Sequence, residues 1–130
     1  MTVRLILDTS ALVAYVAGDT RSVEVGELLL NVEENGDTTG VPALCLVEAY
    51  QQVSEQQRAK LLELVAEEEG PATLLPLPAA DVGAVARLAL RIPIAQAHAA
   101  TEAAKHGAIL GTYERKTYAD SIATDDILDL

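Results

Sequence analysis

The chain has 130 residues, half of them hydrophobic, no Phe or Trp, and a formal net charge of −11. Those figures predict one domain over residues 1–130 with an aliphatic core, and 20 acids against 9 bases argue against indiscriminate nucleic-acid binding. The lone Cys45 excludes an internal disulfide, no apolar run approaches the ~18 residues of a membrane span, and no secretory leader pattern opens the chain, so a cytoplasmic protein without a membrane association is expected.

In chain order, the apolar run Val3-Arg4-Leu5-Ile6-Leu7 reads as a buried strand. A helix follows near 10–17, with Ser10 as its N-cap, and a second over 22–34, bounded by Asn35-Gly36-Asp37. Thr38 to Val41 reads as a short strand closed by Pro42, and Ala43 to Val53 as a helix. Glu55 to Glu69 has the spacing of an amphipathic helix, with Leu61, Leu62, Leu64 and Val65 inward, the run Glu67-Glu68-Glu69 solvated, and Gly70-Pro71 as its stop. Ala72 to Leu77 predicts a strand, Pro78 to Leu90 a helix opened by proline, and Pro93 to His106 a helix ended by Gly107. Ala108 to Gly111 then reads as a buried strand, Glu114 to Tyr118 as a turn, Ser121 to Thr124 as a last strand, and Asp125 to Leu130 as an acidic tail. This alternation predicts an α/β fold: a doubly wound parallel sheet of four to five strands with helices on both faces.

Three acids fall at the ends of these elements. Asp8 directly follows the first strand, where open α/β sheets place ligands, although an acid there also serves as a helix cap. Glu48 lies among apolar neighbours in the helix after the second strand, and a buried acid needs a cation, a metal or hydrogen bonds. Glu114 follows the fourth strand, beside the basic pair Arg115-Lys116. Carboxylates brought together repel unless a cation lies between them, and hard oxygen donors favour Mg²⁺ or Mn²⁺. Such a site suits metal-assisted phosphodiester hydrolysis. Five of the nine cations (Arg87, Arg91, Lys105, Arg115, Lys116) gather within residues 87–116, and Arg115-Lys116 reads either as plain surface charge or as a phosphate grip.

The segments Leu5-Ile6-Leu7-Asp8-Thr9-Ser10-Ala11-Leu12, Val41-Pro42-Ala43 leading to Glu48, and His106-Gly107-Ala108-Ile109-Leu110-Gly111-Thr112 with Tyr118-Ala119 together resemble a PIN domain, in particular the small VapC-like toxin ribonucleases of bacterial toxin–antitoxin modules. The resemblance implies an acidic Mg²⁺ or Mn²⁺ site, cleavage of an RNA substrate, a homodimer and inhibition by an antitoxin protein. It assigns Asp8 and Glu48 to the first two metal-ligand positions, Thr112 to the hydroxyl position after the fourth strand, and Glu114 to a place where the family often has Asp. Thr9, Gln96, Arg115 and Lys116 then become the expected substrate contacts. The family's third acid, eleven or twelve residues before the glycine matched by Gly107, falls here on Ala95 or Gln96. Gln96 offers a neutral carbonyl oxygen but no charge, so weakened activity is expected. Neither Glu102 nor His98 is an obvious replacement, since Glu102 lies two turns away and imidazole is a poor Mg²⁺ ligand; His98 and His106 are expected to do no chemistry.

Other chemistries are excluded by what is missing. A nucleophilic-aspartate phosphotransferase would want a second acid two residues after Asp8, where Ser10 stands, and there is neither a glycine-rich phosphate loop nor a metal-spaced Cys/His set. Two readings remain: a metal-dependent PIN-type ribonuclease toxin, and a catalytically degenerate PIN-like module that binds or regulates.

Overall fold

Short runs rich in Val, Leu, Ile and Thr form the strands of one parallel sheet, and the segments between them coil into helices that cover it. The computed structural model describes residues 2–67 and 70–130. Its strands are β1 (Val3–Leu7), β2 (Thr38–Pro42), β3 (Ala72–Leu75), β4 (Ile109–Thr112) and β5 (Ile127–Asp129), in the order β3-β2-β1-β4-β5. Between them run α1 (Thr9–Val16), α2 (Thr20–Glu34), α3 (Ala43–Gln52), α4 (Glu55–Val65), α5 (Ala79–Leu88) and α6 (Ile94–His106). All four strand pairings are parallel, as the strand–helix alternation requires. Chain direction across the sheet reverses at β1: β2 lies on one side and β4 on the other. In open α/β sheets that reversal marks the ligand crevice, beyond the carboxyl ends of the strands.

Burial follows strand position. Val3, Leu5, Ile6 and Leu7 of central β1 are buried and all of β2 is buried, whereas edge strand β3 buries only Ala72 fully. Gly40 in β2 lies under close packing, since a Cβ there would lie 2.5 Å from Leu75 Cδ1 and 3.0 Å from Ile6 Cδ1 and those side-chain ends would have to shift. In place of aromatic bulk, α6 presses small side chains (Ala95, Ala99, Ala100 and Ala103) into the core cluster. Pro93 stands at the N-cap of α6, and Gly107 ends the helix with φ 60°, the left-handed conformation that relieves a C-terminus.

Several boundaries differ from the sequence expectation. The side chain capping α1 is Asp8, which accepts from Ala11 N, and Ser10 lies inside the helix. The α2 helix begins two residues earlier, because Asp19 and Ser22 form a reciprocal capping box. The α4 helix ends at Val65, and Leu62 is exposed rather than inward because Leu61 and Leu64 already occupy the buried face. Glu67 is exposed, while the rest of the acidic run, residues 68–69, lies outside the described residues. The last strand is Ile127–Asp129, within the stretch expected to be an acidic tail. Ile127 pairs with Leu110 and is buried, which Ser121 to Thr124 had no comparable apolar side chain to achieve except Ile122. No helix among the described residues is long and apolar enough to cross a membrane.

Candidate functional site

Register brings the first acid and the hydroxyl of β4 together. Leu7 pairs with Gly111, so the next residues, Asp8 and Thr112, lie side by side across the point where the sheet reverses. Asp8 is fully buried and both carboxylate oxygens are engaged. Its Oδ1 accepts from Ser10 Oγ (2.7 Å) and Ala11 N (3.1 Å), and its Oδ2 from Thr112 Oγ1 (2.6 Å) and Tyr118 OH (2.7 Å). A carboxylate offers about four lone-pair directions, and four donors fill them. Tyr118, also fully buried, closes a 3-10 turn over Arg115–Tyr118. Burial, and then the Asp8 charge, push its phenol far above the ordinary value, so it stays a donor at every working pH. Thr112 accepts from Glu114 N at 2.9 Å, and Ser10 accepts from Tyr113 N at 3.0 Å, which locks the chain leaving β4 onto the start of α1.

Above this layer lies an open pocket of about 210 Å³ lined by Thr9, Ser10, Glu48, Gln52, Pro93, Gln96 and Glu114. Of the acids expected in the site, Glu48 and Glu114 reach its wall and Asp8 does not. Of the two residues expected at the third acid's position, Gln96 lines the pocket, whereas Ala95 is buried in the core with its carbonyl accepting from Cys45 Sγ. Gln96 Nε2 donates to Glu48 Oε1 at 3.1 Å. The orientation follows from the partner, since a carboxylate only accepts. Gln96 Oε1 is thereby left buried without a hydrogen-bond partner. Cys45 lies beneath, and burial followed by the Asp8 charge pushes its thiol far above the usual range, which makes it inert.

Arg115 and Lys116 are outside the pocket but next to it. With Tyr113, Glu114, Thr117 and Asp129 they line an adjoining groove of about 460 Å³, and Glu114 belongs to both walls. Farther along α6, His98 Nδ1 accepts from Leu44 N at 3.4 Å, while its Nε2 lies 3.4 Å from Glu102 Oε1; Glu102 Oε2 meets His106 at 3.1 Å. The Leu44–His98 bond ties α6 to α3, the Glu102 contacts stay within α6, and none of these side chains lines the pocket. Sequence reasoning gave no role to the Tyr118 hydroxyl and took Ser10 for a cap only. The available signal was a Tyr in an otherwise aromatic-poor chain, whose hydroxyl must find a partner once buried.

Among the described residues no three His, Cys, Asp or Glu side chains come together as a metal-holding group. A hydrated Mg²⁺ nonetheless needs only one or two protein carboxylates, the rest of its shell being water and substrate phosphate. Glu48 and Glu114 both line the pocket and supply that number of carboxylates, while the unpartnered Gln96 Oε1 is buried beside Glu48.

The strand order defines a doubly wound α/β fold with a pocket at its point of reversal, and solved structures that include a VapC toxin share that fold. The chain is similar to the VapC20 toxin of Mycobacterium tuberculosis, described as cleaving the sarcin–ricin loop: TM-score 0.66, 13% identity, 91% of this chain and 96% of that one covered. It is also similar to PAE2754 from Pyrobaculum aerophilum, with TM-score 0.61, 20% identity, and coverage of 92% of this chain and 86% of that one. No protein-family model and no curated protein matches the chain.

Proposed function

We propose that this protein is a PIN-type metal-dependent ribonuclease, the toxin of a toxin–antitoxin pair, working with a weakened cation site in the cytoplasm as a homodimer. The observation that supports this most is the placing of Glu48, Glu114 and Gln96 around one pocket at the sheet's reversal point, on a fold shared with a cleaving toxin. Glu48 and Glu114 would hold Mg²⁺ or Mn²⁺, with Gln96 steadying Glu48 through its amide. The bound ion supplies Lewis-acid stabilisation of the scissile phosphate and a water of lowered pKa. Arg115 and Lys116 grip the flanking phosphates by charge, and Thr9, buried at the pocket floor, orients the phosphate nearest the acids. Asp8 and Thr112 act from below, fixing the start of α1 and the backbone that carries Glu114.

A second reading, a degenerate PIN-like module that binds or regulates, is favoured by the four donors that occupy Asp8 and by the neutral Gln96 in an acid's place. The two separate in a cleavage assay on a mixed RNA pool with Mg²⁺ or Mn²⁺ and an EDTA control. The ribonuclease reading expects slow, EDTA-sensitive cleavage that Glu48→Gln abolishes and Gln96→Asp accelerates, each lost or gained ligand charge altering how firmly the cation is held. Absence of cleavage in the wild type and in Gln96→Asp alike would leave the binding module.

A further inference from the structure

In a chain with 20 acids and 9 bases, a cation without a partner is the exception, and the exceptions here are grouped. Arg4 pairs with Asp37, Lys105 with Asp81, and Arg21 with Asp19 and the Tyr113 ring. Arg58 donates to the Tyr50 carbonyl and covers its ring, and Lys60 lies over Tyr15. Among the described residues the other four, Arg87, Arg91, Arg115 and Lys116, make no ion pair and no ring contact. The sequence itself keeps acids from the first two, since no Asp or Glu occurs between Asp81 and Glu102. The Lys105–Asp81 pair, at 3.0 Å, ties the end of α6 to the start of α5, so the two helices run antiparallel and the end of α5 meets the start of α6. There Pro93 and Gln96 line the acidic pocket. Arg91 precedes Pro93 by two residues, which puts its backbone within about 7 Å of the pocket rim. Arg87 and Arg91 are both exposed, and with Ala84 and Leu88 they line a groove of about 340 Å³. Arg115 and Lys116 adjoin the same pocket through Glu114, on a different wall.

We infer that Arg87 and Arg91 form a second phosphate grip, so that single-stranded RNA is held from two walls of the acidic pocket. The inference rests on the ribonuclease reading and extends its substrate contacts to α5. A groove that carries two guanidiniums and no carboxylate suits an anion with paired oxygens, and the phosphodiester is such an anion. Basic pairs on two walls of one pocket suit a chain of phosphates better than a single one. The net charge of −11 does not prevent this, because at about 0.1 M salt repulsion from acids more than about 10 Å away is largely screened.

The test is binding of a fluorescein-labelled single-stranded RNA of about eight nucleotides to the full chain, read by anisotropy across a salt titration in EDTA. Each phosphate contact on a single strand contributes about 0.7 to the slope of log affinity against log salt. Replacing both arginines, Arg87→Gln with Arg91→Gln, is expected to lower that slope by about 1.4 and the affinity at ~0.1 M salt by about tenfold or more. Arg87→Lys with Arg91→Lys keeps the charge and is expected to keep the slope. Arg4→Gln with Lys60→Gln removes the same charge from partnered positions and is expected to leave the slope unchanged. Equal slopes in the wild type and the Arg87→Gln, Arg91→Gln protein would overturn the inference, as would an equal loss in the Arg4→Gln, Lys60→Gln protein or no RNA binding by the wild type. A loss of polyglutamate binding on removing Arg87 and Arg91, with RNA binding untouched, would also overturn it and make the occupant an acidic protein. RNA binding with the expected change of slope but no cleavage in Mg²⁺ or Mn²⁺ would sink the ribonuclease reading and leave this grip standing. Cleavage with equal slopes would do the reverse.

Discussion

Removing the Asp8 side chain with Asp8→Ala separates an acid that organises the fold from one that only awaits a cation. Truncation deprives Ala11 N and Tyr118 OH of their partners, both inside the protein, and frees Ser10 and Thr112 to bond each other at 3.2 Å. Each stranded buried donor costs about 1–3 kcal/mol, including the lost α1 cap, so the variant should lose about 3 kcal/mol once recovery of the carboxylate's own desolvation is allowed for. For a domain of this size that is a fall of about 10 °C in melting temperature. Asp8→Asn should lose much less, about 1 kcal/mol, because its oxygen can still accept from Ala11 N and Ser10 while both facing hydroxyls can rotate to accept from its amide. Urea and thermal melts followed by circular dichroism at neutral pH measure both. An acid repelled by its neighbours in an empty cation cluster would show the opposite sign, gaining stability on neutralisation. A stable Asp8→Ala variant, within about 1 kcal/mol of the wild type, would therefore refute the network as the source of order at this end of the sheet.

Two further outcomes are expected. Cys45 and Tyr118 both have proton affinities raised by folding, so the native state keeps protons that the unfolded chain releases; stability should be intact below the unfolded thiol's value near 9.0 and fall as pH rises through it. One such group contributes a slope of about 1.4 kcal/mol per pH unit, and Cys45→Ala should remove one proton's worth from urea melts taken at mildly alkaline pH, an equal slope in both proteins refuting the assignment. The α3–α4 face exposes Val47 at 56%, Leu62 at 48% and Tyr50 at 38% around a groove of about 450 Å³, apolar surface of the kind that pairs subunits, so light scattering should return a dimer mass that Leu62→Glu converts to monomer. A monomer at micromolar concentration in the wild type would count against it.

The sheet and its helices were readable because their signals are periodic and local: apolar runs for β1 and β2, proline openings for α5 and α6, and Gly107 at a helix end. What could not be read depended on partners distant in sequence. The chain's last strand looked like an acidic tail because its warrant is a slot beside β4 that accepts Ile127, and nothing local announces an edge position. Leu62 was expected inward because its helix offers more apolar residues than the core can take, and only packing decides which is left out. In the site, the residue types expected at the reversal point are close by, but a string of letters does not tell an acid that faces a pocket from one that faces four donors.

That distinction explains how one carboxylate carries two readings without contradiction. An Asp at the mouth of α1 is held there by the helix's own requirement for a cap, whatever chemistry goes on above it. The cap fixes Oδ1 and leaves Oδ2 as the oxygen whose partner can vary. Thr112 claims part of it through sheet register alone. The remaining direction is taken by a hydroxyl from the far end of the chain. Gln96 supplies an amide to Glu48, so two carboxylates that the resemblance assigns to a cation, Asp8 and Glu48, instead accept from neutral donors of the protein itself. Neutral donors stabilise buried carboxylates without a cation, so these hydrogen bonds account for the acids at this end of the sheet whether or not an ion binds above them.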